Sequence, residues 1–484
     1  MERGTTAGAE AKAGGRGATL LGGSRSTYER PAALRLVGDE VEVPGPAGLQ
    51  PYVDFDSAAS TPALAAVHDA VEALLPWYSS VRRGCGYKSQ LASAALEGAR
   101  GAVAEFIGAR DEDVVVFVRN TTEAINLVAR GLAPDARVLV TGFEHHANLL
   151  PWRSHPCEVL PFSRSSTDLL ALAEAALARG RGAIRLFAIS AASNVTGEVV
   201  PVAELAALGH RYGAWVLVDA AQLVPHRPVS MRALDADFLA FSGHKLYAPY
   251  GVGALVASRE ALAMIPPLLQ GGGAVKYVTL SKAVLADLPA RHEAGSPNLL
   301  GAVALGAACD VLRGIGMERI AEAERALAAE LFGGLETIAG LRLLRMWPSG
   351  SCEVLGVASF VLDGLSPRLV AAVLAWEYGI GVRCGSFCAH PLLARLLGLD
   401  ESETEAIAAD LAAGRKRRFP GAVRASIGLG TTVGHVQRLV GALRTIASEG
   451  PRVQYVYNEG ANEFRPANGN QRWPNLPFRL GASA

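Results

Sequence analysis

The chain has no surplus of either charge: its 484 residues carry 46 Lys and Arg against 46 Asp and Glu, a formal net charge of zero. No global field then draws it to nucleic acid or to an anionic membrane, so the expected partner is a small molecule or another protein. Long apolar runs are missing as well. None reaches the roughly 20 residues that a membrane helix needs, and the first residues lack the apolar core of a signal peptide, so the expected location is cytoplasmic. Cysteine is sparse. Six are scattered along the chain, which is thin for a disulfide framework and typical of reduced thiols. A Walker loop, Gly-x-x-x-x-Gly-Lys-Ser/Thr, is absent, which argues against a nucleotide triphosphatase. Cys384 and Cys388 form a Cys-x-x-x-Cys pair with no second pair nearby, so neither zinc nor another metal is expected.

What is present is apolar bulk. Half of the residues are hydrophobic, enough for two cores, since a single core stops growing near roughly 250–300 residues. Residues 1–27 are Gly, Ala, Ser and Thr with a few charges and read as a disordered tail. Residues 28–314 read as a large domain, opened by a segment, 28–50, that can pack on the smaller one. In it, short apolar runs at 114–118, 137–141, 183–190, 214–218 and 238–241 alternate with longer Ala/Leu-rich stretches. That alternation predicts strands and helices in turn, a mainly parallel sheet covered on both faces. Residues 315–447, with helical patterns, a strand-like run at 354–361 and a Gly/Cys-rich stretch at 381–390, read as a smaller α+β domain. Residues 448–484 form an extension whose Tyr455, Tyr457, Phe464, Trp473 and Phe478 favour docking on a folded surface.

The strongest local constellation is Ser242, Gly243, His244 and Lys245, directly after the run 238–241. A strand feeding that turn puts the lysine at the carboxyl edge of the sheet, where open α/β folds bind ligands. Val216, Leu217 and Val218 end in Asp219 at the same edge. A lysine amine that forms a Schiff base, and an acid that keeps a pyridine nitrogen protonated, are the two groups that pyridoxal 5'-phosphate (PLP) needs. Gln222 is placed to donate to the ring phenolate oxygen. Taken singly, Asp219 reads equally well as a helix cap and Lys245 as a solvated lysine; the pair after two buried strands points to the cofactor. For the phosphate, Asn120, Thr121, Thr122 and Glu123 join the run 114–118 to a helical pattern. There Thr121 and Thr122 offer amides and hydroxyls, and Ser242 and His244 converge from the lysine turn. The same four residues also read as a helix cap with a capping-box carboxylate.

With these residues in place, the chain resembles the class V aminotransferase superfamily, and within it the group II cysteine desulfurases and selenocysteine lyases. The matching stretches run in order: YVDFDSAASTP (52–62), NTTEAIN (120–126), EHHAN (144–148), SNVTG (193–197), DAAQ (219–222) and SGHKLY (242–247). They continue with GGG (271–273), EAGSPN (293–298), VRCGSFCAHP (382–391) and RASIG (424–428). The resemblance implies an α/β fold, the PLP-dependent transferase fold type I, with a mainly parallel seven-stranded sheet and a smaller α+β domain.

By position it implies that His145 stacks on the PLP ring and that Asn194 and Arg424 hold a substrate carboxylate, with Arg383 close by. Ser296 is implied to reach the phosphate of a neighbouring subunit, hence a homodimer with shared sites. Cys388 stands where the group keeps the cysteine that takes sulfur from L-cysteine, and a sulfur-acceptor protein is an implied partner. A thiolate there gains from a positive neighbourhood, which Arg383, His390 and the PLP site are placed to supply. The chain departs from the group in three ways: Phe387 replaces a usual histidine, Arg424 follows Cys388 by a long 36 positions, and Cys384 sets a second thiol nearby, a resolving cysteine or a small buried residue. Another class V enzyme, an aminotransferase, epimerase or C–S lyase, shares the cofactor motifs and leaves Cys388 a bystander. A silent scaffold has no use for Lys245, Asp219, His145, Thr122 and Arg424 together.

Overall fold

The computed structural model describes residues 34–82, 84–415 and 420–467. The predicted tail 1–27, with Trp473 and Phe478, lies outside the described residues.

Seven strands form the central sheet in the order Asp113–Val118, Gly253–Ser258, Phe238–Ser242, Trp215–Asp219, Ile184–Ser190, Arg137–Val140 and Cys157–Val159. All point the same way except Gly253–Ser258, which is antiparallel to both neighbours. The central strands read as unbroken apolar runs because helices cover both faces. Val216, Leu217 and Val218 are fully buried. Gly253 has a local reason: a Cβ there would lie 2.8 Å from Asn120 Cα and 2.7 Å from the Phe241 carbonyl. Only glycine lets the helix start at Asn120 approach the end of the strand that carries the lysine.

A second core is built on a four-stranded antiparallel sheet, Leu341–Leu343, Val357–Leu362, Ala422–Ser426 and Arg383–Gly385 in that order. Helices Met317–Glu336, Pro367–Tyr378 and Val433–Glu449 bury Leu331, Val373 and Leu443 against it. Near the N-terminus, Leu34 and Leu36 join the large core, whereas Val53 and Phe55 join the second. Strand Val53–Asp54 pairs in parallel with Ile380–Gly381. Buried charges tie the two cores together. Glu324 accepts from Arg227 at 3.1 Å and from the Gly356 N–H at 2.9 Å, with His226 against its other oxygen.

The aromatic extension docks, within the described residues, on the chain's own second core. Strands Tyr455–Asn458 and Glu463–Pro466 form a hairpin. Its Tyr455 hydroxyl donates to Glu377 at 3.2 Å, and Arg368 donates to the Asn462 carbonyl at 3.0 Å, both on helix Pro367–Tyr378. The long interval after Cys388 holds helices His390–Leu396 and Glu401–Ala412. The second starts in a capping box between Asp400 and Glu403 and buries only Ile407. A groove of about 660 Å³ lies between the two.

Candidate active site

Where the carboxyl ends of the parallel strands meet the second core, a cavity of about 290 Å³ opens. Every predicted site residue lines it except Ser296. Strand ends explain the convergence: strand Trp215–Asp219 delivers Asp219, strand Phe238–Ser242 delivers Ser242 and then His244 and Lys245 on one short turn, and Thr121 opens the helix Thr121–Gly131. Arg383 and Arg424 come from the second sheet, with Cys388 on the loop after Arg383–Gly385.

At the centre, Lys245 and Asp219 feel each other. Burial pushes the lysine amine down to about 8, with the Asp219 carboxylate opposing and the Arg424 charge adding to the depression. Asp219 is pushed up by burial, while the Ala221 N–H, donating to its Oδ1 at 3.0 Å, and Lys245 pull it down. His145 is pushed down to about 3, first by burial and then by Lys245. Its Nδ1 accepts from the Ala147 N–H at 3.0 Å, which leaves the proton on Nε2 and a neutral flat ring at the cavity wall. Gln222 donates from Nε2 to the Ala58 carbonyl at 2.8 Å, and a second amide hydrogen remains for a ligand.

The lysine shift sets a pH dependence for the protein without cofactor. A lysine with a depressed folded pKa costs stability while it is buried as a cation, and that cost lifts as pH rises from about 8 toward the ordinary 10.5. The free amine also becomes available in step. Capture of added PLP should therefore accelerate with pH around a midpoint near 8 and level off above it, followed by visible absorbance. A midpoint above 10 would mean that the amine is not desolvated.

At the phosphate end the structure sharpens the expectation. The Thr121 amide donates to Ser242 Oγ at 2.9 Å, and the two hydroxyls lie 2.7 Å apart, so these two residues brace one another. Asn120 caps the helix by accepting from the Glu123 N–H at 3.0 Å. The exposed Thr122 is left facing the opening.

The carboxylate end holds a residue to which the sequence assigned no role. Asp56 Oδ1 accepts from Arg424 at 3.2 Å, and its Oδ2 lies 3.5 Å from Arg383. Arg424 is 2% exposed, and its Nε has no hydrogen-bond partner among the described residues. Burial pushes its guanidinium down to about 10, against the pull of Asp56. Asp56 balances this buried cation, and the unmatched Nε–H leaves one donor for an anionic ligand. Asn194 is less free than expected: its side chain donates to the Phe387 carbonyl at 2.6 Å, and its own carbonyl accepts from Arg424 at 2.8 Å.

Cys388 is exposed at the cavity rim. Phe387 and Cys388 both have left-handed backbones, φ 53° and 54°, a conformation that costs on the order of 1–2 kcal/mol per non-glycine residue. Their carbonyls are pinned, Phe387 by Asn194 and Cys388 by the His146 N–H at 2.8 Å. The Phe387 ring lies 5.0 Å from the Arg424 guanidinium, a cation–π contact. For His390 the surroundings work against the expected positive charge. Burial pushes its pKa down, its ring packs edge-on against His146 at 4.6 Å, and its N–H donates to His146 Nε2 at 3.2 Å. Cys384 is half-buried, and burial pushes its thiol up, as fits a small packed residue.

Glu144 was also missed. It is 1% exposed behind His145 and accepts from Thr141, Asn148 and Ser190. Burial pushes it up to about 7, with these donors pulling the other way. Only its position inside the EHHAN stretch marked it.

The donor set fits PLP. An amine and a carboxylate face each other in the cavity, a flat neutral imidazole borders them, and a helix start with hydroxyls lies to one side.

The chain belongs to the class-V aminotransferase family, whose profile matches residues 53–439. Among its relatives, it is 40% identical over 359 residues to a probable cysteine desulfurase of Mycolicibacterium paratuberculosis, covering 72% of this chain and 51% of that protein. This chain thus spans about half the length of that relative. It is 40% identical over 357 residues to a cysteine desulfurase of Cronobacter sakazakii, covering 71% of this chain and 86% of the other. The apo structure of a cysteine desulfurase from Thermococcus onnurineus superposes with a TM-score of 0.72 at 32% identity, over 82% of this chain and 94% of that one.

Proposed function

We propose that the chain is a PLP-dependent cysteine desulfurase, converting L-cysteine to L-alanine and leaving a persulfide on Cys388. The observation that carries it is one cavity shared by the depressed lysine Lys245, the buried Arg424 paired with Asp56, and the exposed thiol of Cys388.

Asp219 would hold the ring nitrogen of PLP, Gln222 its phenolate oxygen, His145 its face, and Thr121, Thr122, Ser242 and His244 its phosphate. When bound, PLP supplies an electron sink for bond breaking next to the substrate α-carbon. Lys245, whose amine burial lowers to about 8 and so brings closer to neutral pH, takes the α-proton. Arg424, braced by Asp56 and assisted by Arg383 and Asn194, fixes the substrate carboxylate and so aims the side chain at the loop of Cys388. The Cys388 thiolate attacks the substrate sulfur; an S–S bond forms, the Cβ–S bond breaks, and its electron pair stays with the carbon fragment, which leaves as alanine after protonation.

Incubation with PLP, L-cysteine and a reductant should give sulfide and alanine in equal amounts. A keto acid, or a D-amino acid without sulfide, would instead support an aminotransferase or epimerase of the same family.

Ser296 is exposed on the loop before helix Leu299–Ile315, as a residue serving a neighbouring protomer would be. Close by in sequence, the hairpin Val275–Val278 and Ala283–Leu285 exposes Tyr277, Val278, Leu280 and Val284, apolar area suited to a homodimer interface. Sedimentation of a monomer at micromolar concentration would overturn that reading. The exposed Cys388 suits hand-over to a sulfur-acceptor protein, and six unpaired cysteines suit a reducing cytoplasm.

A further inference from the structure

We propose that Glu144 is a positioning residue that holds His145 against the cofactor site by serving as a four-fold hydrogen-bond acceptor joining two strand ends to the histidine turn. The inference rests on the reading of His145 as the residue on the ring face.

Each carboxylate oxygen has two donors. Oε1 accepts from Thr141 Oγ1 at 2.6 Å and from the Ser190 N–H at 3.1 Å. Oε2 accepts from Asn148 Nδ2 at 2.7 Å and from the Ser190 hydroxyl. Thr141 directly follows strand Arg137–Val140, and Ser190 ends strand Ile184–Ser190, paired in register with Asp219. Asn148 closes the turn His146–Asn148, which is bound to His145 twice: the Ala147 N–H donates to the ring, and the Asn148 N–H donates to the His145 carbonyl at 2.8 Å. The chain of bonds ends at Trp152, fully buried, whose Nε1 donates to Asn148 Oδ1 at 3.2 Å. With Glu144 ionised, every step has one polarity, set by an indole that can only donate and a carboxylate that then can only accept.

That polarity makes the idea testable with isosteric changes. In Glu144→Gln the new NH₂ replaces one oxygen. Facing Oε1's partners it meets the Ser190 N–H, a donor. Facing the others it is accepted by the Ser190 hydroxyl, but Asn148 must flip and turn its own NH₂ onto Trp152 Nε1. Either way one buried donor is left unmatched. Adding Asn148→Asp resolves the second arrangement, since a carboxylate there accepts both from the new amide at position 144 and from Trp152, and it restores the charge one turn away.

Two readouts separate this proposal from the cofactor reading. In the protein without PLP, Glu144→Gln should speed amide exchange across residues 146–149 by about tenfold or more, and the double variant should recover most of it. With PLP added, the dissociation constant followed by visible absorbance should rise and recover in parallel. Unchanged exchange in Glu144→Gln, or no recovery in the double variant, overturns the proposal. Should Glu144→Gln fail to fold, Thr141→Val removes one donor at nearly constant shape, and unchanged exchange in the same amides overturns it equally. If exchange behaves as expected but His145→Ala leaves PLP affinity intact, the role of Glu144 stands and the placement of PLP under His145 falls.

Discussion

Replacing Lys245 with Ala should abolish the visible absorption of lysine-linked PLP and lower turnover of L-cysteine by about 10⁴-fold, the upper range for loss of a positioned general base. Two losses combine in this variant. The covalent hold on the cofactor goes, although Asp219, Ser242, Thr121 and His145 remain to bind it non-covalently. The base that removes the α-proton goes as well: in the proposed arrangement Asp219 is taken up by the ring, and His145, pushed down to about 3, is too weak a base. Folding should survive, since truncation at a half-buried cavity wall removes a costly buried cation. An absorption spectrum with a visible band unchanged from the parent protein would refute the assignment of the lysine, and with it the reading of the whole cavity.

Replacing Cys388 with Ser should abolish sulfide release, at least about a thousandfold, while the visible cofactor band persists. A serine hydroxyl is not ionised near neutral pH and forms no persulfide, yet it is close in size and leaves the pinned carbonyls of residues 387 and 388 where they are. The selectivity of the effect is the informative part. Loss of both sulfide and the cofactor band would indicate a disturbed cavity. Retained turnover with an intact band would remove the persulfide route and move the chain toward its relatives with other chemistry.

Much of the large sheet was legible because its strands are buried on both faces and appear as plain apolar runs, as at 214–218 and 238–241. Gly253–Ser258 was not: Gly, two Ala and Ser among six residues give a weak strand signal, and its antiparallel direction depends on neighbours far away in the chain. The same distinction divides the site. Lys245, Asp219 and the helix start at Thr121 were readable because each follows its own strand, so local sequence fixes the edge at which it emerges. Asp56 and Glu144 were not, because their roles arise from partners brought up by the fold: Arg424, 368 positions from Asp56, and Ser190, 46 from Glu144. Burial also works against one expectation, since it pushes the histidine at 390 toward its neutral form.

The pinned loop has a consequence for how this site tolerates change. Asn194 and the His146 amide grip residues 387 and 388 by their carbonyls, which every amino acid possesses. The direction in which the thiol leaves the backbone is thus set in part by bonds to the main chain. The Phe387 side chain adds to that hold, since its ring is buried in the large core and lies against the Arg424 guanidinium. A change at 387 therefore gives up core packing beside the sulfur while the main-chain bonds stay in place.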